Sequence, residues 1–250
     1  MNDQDLSQLR RLFEVMEQLR APGGCPWDRV QSHQSLVPYL LEETYEAIQA
    51  IEEGTPEEVA EELGDLLVEV AMQVAIASEA GEFDIATVAG RATEKMIGRH
   101  PHVFGDLKVA GVEQVLSNWE ELKRKEKPER ESPLDGIPAA LPALALASAI
   151  QRRQGEEVVE GGVPDPLLSV GQALSRLSDG TGATETQKGQ IGELLYRVVA
   201  LAGERGVDPE GALRGYAGER RRDLRQAQLA RRPEESSAAP LATEGSSNSG

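Results

Sequence analysis

Aromatic residues are scarce in this chain, at 4% of its 250 positions. Strands draw on aromatic and β-branched side chains, so the scarcity argues against a sheet protein. The helix formers Leu, Ala and Glu are abundant instead. Cysteine is nearly missing: Cys25 stands alone, which excludes an intrachain disulfide and fits a reducing compartment. Positive charge is in deficit, with 26 Lys and Arg against 43 Asp and Glu and a net charge of −17. A surface this acidic repels phosphate backbones and argues against a general binder of nucleic-acid polymers. It does not exclude a nucleotide, because bound cations reverse the field locally. No run of about 18 apolar residues occurs, so no membrane span is expected. The N-terminal segment is charged and amphipathic, without the apolar centre of a signal peptide, and the expected location is cytoplasmic. The Walker phosphate loop and the dinucleotide-binding glycine pattern are both missing. His33, His100 and His102 lack metal-ligand spacing, so phosphate chemistry here has to rest on a metal held by other ligands.

What the chain does have is helical periodicity. Leu6, Leu9, Leu12, Phe13, Met16 and Leu19 recur at helical spacing, and Ala21-Pro22-Gly23-Gly24 ends the run. The loop Cys25-Pro26-Trp27-Asp28 follows. A second helix is expected from about Leu36 to Glu53, stopped at Gly54. Thr55-Pro56-Glu57-Glu58 then combines an N-cap, a proline in the first turn and early acids, and opens a helix reaching about Ala80. A fourth runs from about Asp84 to Arg99, ended by His100-Pro101, with residues 102–106 as a loop. A fifth, from about Val112 to Glu126, carries Trp119. Consecutive amphipathic helices with short loops make a bundle, so the expected class is all-α.

The organisation predicted is a catalytic unit at 1–127, a linker at 128–139, a second helical unit at 140–231 and a disordered tail at 232–250. The second unit reads as a diverged internal copy of the first. Gly192-Glu193-Leu194-Leu195 matches Gly64-Asp65-Leu66-Leu67, and Val207-Asp208 matches Phe83-Asp84.

The chemistry-bearing signal is Glu42-Glu43-Thr44-Tyr45-Glu46 on one helix and Glu61-Glu62-Leu63-Gly64-Asp65 on the next. Residues three apart share a helix face, about 5–6 Å between Cβ atoms. Glu43 therefore converges with Glu46, and Glu62 with Asp65. The short turn between the helices makes them antiparallel neighbours, with both pairs facing one groove. Four carboxylates so placed repel one another unless a cation sits among them, and Mg²⁺ prefers hard oxygen ligands. Glu69 falls on the same acidic side and is a further candidate, or else simply solvated. Leu63, Leu66, Leu67 and Val70 form the expected core stripe. Lys95 and Arg99 lie four apart on the fourth helix, suited to phosphates or simply to the helix dipole. Trp119 can stack on a base or fill a core. Paired acids of this kind can also be no more than solvated faces of a helical interaction module.

These motifs resemble the MazG nucleoside triphosphate pyrophosphohydrolases. The likeness runs through Gly23-Gly24-Cys25-Pro26-Trp27-Asp28, Tyr39-Leu40-Leu41-Glu42-Glu43 with Glu46, and Glu61-Glu62-Leu63-Gly64-Asp65-Leu66-Leu67. It continues through Glu94-Lys95, Arg99-His100-Pro101-His102-Val103-Phe104-Gly105-Asp106 and Asn118-Trp119-Glu120-Glu121. The resemblance implies an all-α NTP pyrophosphatase fold and Mg²⁺-dependent cleavage between the α and β phosphates, in a nucleotide-pool house-cleaning role. By it, Glu43, Glu46, Glu62 and Asp65 hold the metal, Lys95 and Arg99 hold phosphates, and Trp119 contacts the base. Glu46 is the candidate to orient or deprotonate the attacking water, with the other acids, Glu42 and Glu61 among them, as alternatives. A homodimer or higher homo-oligomer is also implied. A narrower enzyme of the same superfamily, acting on dUTP or phosphoribosyl-ATP, is the alternative. The second unit resembles a second MazG repeat but departs at the ligands. Gln190 stands opposite Glu62, Glu193 opposite Asp65, and Glu219 and Asp223 opposite Lys95 and Arg99, so activity is expected from the first unit alone.

Overall fold

The computed structural model describes residues 2–126, 129–154, 165–178 and 184–230. The tail expected at 232–250 lies outside them, as do the glycine-containing breaks at 161–164 and 180–182. Among the described residues every regular element is a helix. The chain divides into two compact units, Met1–Lys127 and Pro128–Gly250.

The first unit begins with α1 (Asp3–Arg20), where Asn2 and Asp5 form a reciprocal capping box. The one-turn α2 (Pro26–Arg29) follows, then α3 (Val37–Glu53) and α4 (Pro56–Ala80). At the head of α4 the Glu58 N–H donates to the Thr55 hydroxyl at 3.3 Å, and the Thr55 N–H donates back to the Glu58 carboxylate at 2.7 Å. Gly81 closes α4 at φ +70°, a left-handed cap that a side chain would strain. Next come α5 (Ile85–Arg99), α6 (Pro101–Phe104) and α7 (Val112–Lys125). Two segments read from the sequence as loops thus contain single helical turns, α2 and α6. Each starts on a proline, whose fixed φ suits the first turn of a helix.

Antiparallel α3 and α4 pack together, and α1 packs on α4. The core gathers Met16, Leu36, Ala71, Met72 and Ala75, with Leu12, Phe13, Val68 and Ile76 against it. The stripe expected at Leu63, Leu66, Leu67 and Val70 is not this core: Leu63, Leu67 and Val70 are exposed. Leu63, Leu67 and Val70 line up at helical steps with the buried Val74 and Ala77, so burial changes along α4: its C-terminal half, with Ala71, Met72, Val74, Ala75 and Ala77, is packed, and its N-terminal half is open.

The second unit consists of α8 (Ala143–Gln154), α9 (Pro166–Ser178), α10 (Thr184–Glu204) and α11 (Pro209–Ala230). Helix α10 packs on α9 and α8, and α11 packs on α8. The segment before α8 is irregular but pinned, since the Arg153 guanidinium donates to the carbonyls of Pro133 and Asp135 at 3.1 and 2.8 Å.

Candidate functional site

Helices α3 and α4 bring three of the four expected ligands together. One carboxylate oxygen from each of Glu43, Glu62 and Asp65 lies within 4.8 Å of the other two. Glu46 stands beside this trio at an open groove of about 410 Å³, whose acidic wall is Glu46, Glu53, Glu58 and Glu62. The local cause is the one the sequence suggested: three-residue spacing on each helix, and a tight turn at Gly54 that aligns the two faces.

The electrostatics are unfavourable for the bare carboxylates. Glu43 is held above the ordinary carboxylate range, first by burial and then by repulsion from Glu46, Asp65, Glu62 and Glu42. Glu62 is raised for the same reasons, with Glu46 and Asp65 its leading neighbours. Glu62 Oε2 is shut off from solvent and has no hydrogen-bond donor. Buried acceptors without donors are rare, and here the vacant valence points to an external one. A hard cation satisfies such an oxygen and neutralises its neighbours together, so the residues fit a divalent ion with oxygen ligands. Glu69, the further candidate on the acidic side, is buried and not solvated; its Oε2 also lacks a donor, and burial raises its pKa.

The expected phosphate and base contacts lie elsewhere in the unit. Lys95 is exposed. Arg99 makes a fork to Glu126, with bonds of 2.9 and 2.6 Å, and its guanidinium lies 5.2 Å from the centre of the Trp119 ring. His100 meets the same indole edge-on at 5.1 Å. Helices α5 and α7 pack on each other, and neither packs extensively on α3 or α4. Arg99 and Trp119 are thus joined to each other on helices that do not pack extensively on α3 or α4.

Sequence reasoning missed two features of the α1–α4 bundle. The buried Arg20 ties α1 to the loop around α2, donating to the Asp28 carbonyl at 2.6 Å and forking onto Glu79. Trp27 and Tyr39 form an edge-to-face pair with ring centres 5.7 Å apart. The available signal was Tyr39, four residues before Glu43 and so on its face.

In the second unit the matching positions are occupied differently. Glu193 is clamped by Arg176 and Arg197, each at 3.1 Å. The Gln190 amide donates to the Arg176 carbonyl at 3.3 Å.

Fold and site together define an all-helical protein with an acidic groove able to hold a cation. The description "MazG nucleotide pyrophosphohydrolase domain" matches residues 31–104, which contain the acidic trio, Glu46, Lys95 and Arg99. A nucleoside triphosphate pyrophosphohydrolase/pyrophosphatase MazG of Thermotoga maritima is 40% identical over 205 residues, covering 81% of this chain and 78% of that protein. A nucleoside triphosphate pyrophosphohydrolase of Escherichia coli K12 is 34% identical over 216 residues, covering 83% and 82%. A solved structure of a MazG-related protein from Thermotoga maritima aligns at 28% identity and a TM-score of 0.40, over 46% of this chain and 98% of that one. The chain belongs to the MazG family.

Proposed function

We propose that the protein hydrolyses nucleoside triphosphates to monophosphate and pyrophosphate, with Mg²⁺ in the α3–α4 groove, as a cytoplasmic house-cleaning enzyme. The observation that carries the reading is the set of three carboxylates within 4.8 Å, one with a buried oxygen lacking any donor. The family membership and the names of the relatives agree with it.

Glu43, Glu62 and Asp65 would hold the ion from the protein side, and Glu46 would complete the set at the groove mouth. A divalent ion supplies charge neutralisation to the triphosphate and acidity to a bound water. Glu46 is exposed and outside the tight trio, which leaves its carboxylate able to accept the proton of the attacking water. Lys95 and Arg99 would balance charge gathering on the leaving pyrophosphate. Because their helix does not pack extensively on the groove, we place them there in an assembly of two or more copies. Exposed Leu41, Tyr45, Leu63, Leu67 and Val70 flank the acids on α3 and α4, a surface suited to a second copy. The Arg-clamped Glu193 supports a second unit without catalytic activity, kept for packing or assembly.

The test is a panel of ribo- and deoxyribonucleotides with pyrophosphate detection, run on the full chain and on Asp65→Ala. The expected result is turnover across several bases that requires a divalent ion and is lost in the variant. Helicity should persist, since alanine favours helix. Normal turnover by Asp65→Ala at saturating Mg²⁺ would remove the assignment. Activity on dUTP alone, or on phosphoribosyl-ATP alone, would select the narrower enzyme.

A further inference from the structure

We propose that the second unit binds a phosphate chain without a metal ion, on Arg176 and Arg197 where α9 meets α10. The acids of the first groove have counterparts there of a different character. Glu62, Asp65 and Glu69 on α4 correspond to Gln190, Glu193 and Arg197 on α10. Glu43 faces Asp65 from α3, and Arg176 faces Glu193 from α9. Four formal negative charges thus give way to two positive, one neutral and one negative. A set suited to a hard cation has become one that repels it and attracts an anion.

The hydrogen bonds leave donors to spare. Arg176 Nη1 donates to both oxygens of Glu193 at 3.1 Å. Arg197 donates from Nε and Nη2 to Glu193 Oε1, also at 3.1 Å. One carboxylate serves two guanidiniums, and a positive charge is left over. Among the described residues neither guanidinium has another acceptor. Arg176 therefore keeps the edge formed by Nε and Nη2, and Arg197 keeps Nη1. A guanidinium edge matches two oxygens of one phosphate. Both side chains can be reached from solvent, at 50% exposure for Arg176 and 35% for Arg197.

The two arginines stand on a fixed base. The Gln190 amide donates to the Arg176 carbonyl at 3.3 Å and ties the end of α9 to α10. Ala173, three residues before Arg176, and Val199, two after Arg197, are buried. With the helices anchored and Glu193 holding both guanidiniums, an anion meets them at a small ordering cost.

The charge of the whole chain narrows the ligand. At −17 it repels a nucleic-acid polymer at long range. A short phosphate chain needs only the local field, which acts within about 8 Å at physiological salt. Free pyrophosphate and the triphosphate of a nucleotide share this chemistry. The binding is independent of the hydrolysis assigned to the first unit.

The test is isothermal calorimetry of the full chain with pyrophosphate in EDTA. Without a divalent ion the α3–α4 acids repel the probe, so the heat reports a site elsewhere. The wild type should bind, and added NaCl should weaken the binding. Arg176→Ala should lower the affinity by about 10- to 100-fold. Arg176→Lys, which keeps the charge and loses the fork, should fall between the two. Glu193→Gln removes the competing carboxylate and should bind about 5-fold more tightly, a gain that misfolding cannot imitate. A parallel titration with α,β-methylene-ATP in EDTA separates the sources: binding of either probe at Arg176 upholds the site, and the tighter probe names the ligand. No heat from the wild type with either probe at millimolar concentration would overturn the proposal. So would an Arg176→Ala chain that binds like wild type, or a Glu193→Gln chain that binds no more tightly.

Discussion

Replacing Glu43 with glutamine should change the sign of its effect on stability according to whether a divalent ion is present. Glu43 faces Glu62 and Asp65 with oxygens within 4.8 Å, and Glu46 and Glu42 also raise its pKa, after burial as the leading cause. Two unit charges at that distance repel by about 1 kcal/mol with water-like screening. Glutamine removes the charge and keeps the shape. The folded-state pKa is raised, so the carboxyl favours folding while protonated. That advantage is present below its ordinary pKa near 4.5 and is lost as pH rises through the raised value. At pH 7 in chelator, Glu43→Gln should therefore melt higher than wild type by a few degrees, about 2–6 °C. Near pH 4 the gap should close. With Mg²⁺ at a hundred times its dissociation constant, the wild type gains about 2.7 kcal/mol. The variant lacks one anionic ligand and gains less, so the order reverses. Thermal melts by circular dichroism, with EDTA and with Mg²⁺, read both arms. A variant that melts lower than wild type in EDTA at pH 7, or an order indifferent to Mg²⁺, would refute the clustered-charge account of the groove.

Two further expectations concern positions away from the groove. Glu193→Ala should leave nucleotide turnover within about twofold of wild type and change stability by no more than about 1 kcal/mol, because its Arg176 and Arg197 partners are partly solvated; a steady-state assay and a urea melt check both, and lost turnover would return catalysis to the second unit. Arg20→Ala should destabilise the first unit by about 2 kcal/mol, since it frees the carbonyls of Asp28 and Gln31 and unpairs Glu79; urea denaturation measures this, and an unchanged midpoint would contradict the clamp.

Much of this architecture could be read from residue order because its signals are local. The cap at Thr55, the stop at Gly54 and the three-residue spacing of Glu43, Glu46, Glu62 and Asp65 each act within a few residues, and the helices and acidic groove follow from them. What escaped was set by tertiary choice. One apolar stripe runs along α4 through Leu63, Leu67, Val70, Val74 and Ala77, and periodicity does not say how far along it the neighbouring helices reach. They cover the C-terminal half, so Leu63, Leu67 and Val70 stay outside while Val74 and Ala77 are buried. The fork from Arg99 to Glu126 joins residues 27 apart, and the one from Arg20 to Glu79 spans 59, beyond any local pattern. The Arg176 clamp on Glu193 was invisible for the same reason. A ligand position can be lost by substitution, as at Gln190, or filled by a cation from another helix, and only the first leaves a mark on the matching residue.

The most direct measurement is ³¹P NMR of ATP turnover by the full chain with Mg²⁺, repeated with EDTA. Cleavage between the α and β phosphates predicts that AMP and pyrophosphate resonances grow together from the start, and that neither appears in chelator. ADP with orthophosphate as the first products, or equal turnover without a divalent ion, would contradict the claim that the α3–α4 carboxylates serve a pyrophosphohydrolase.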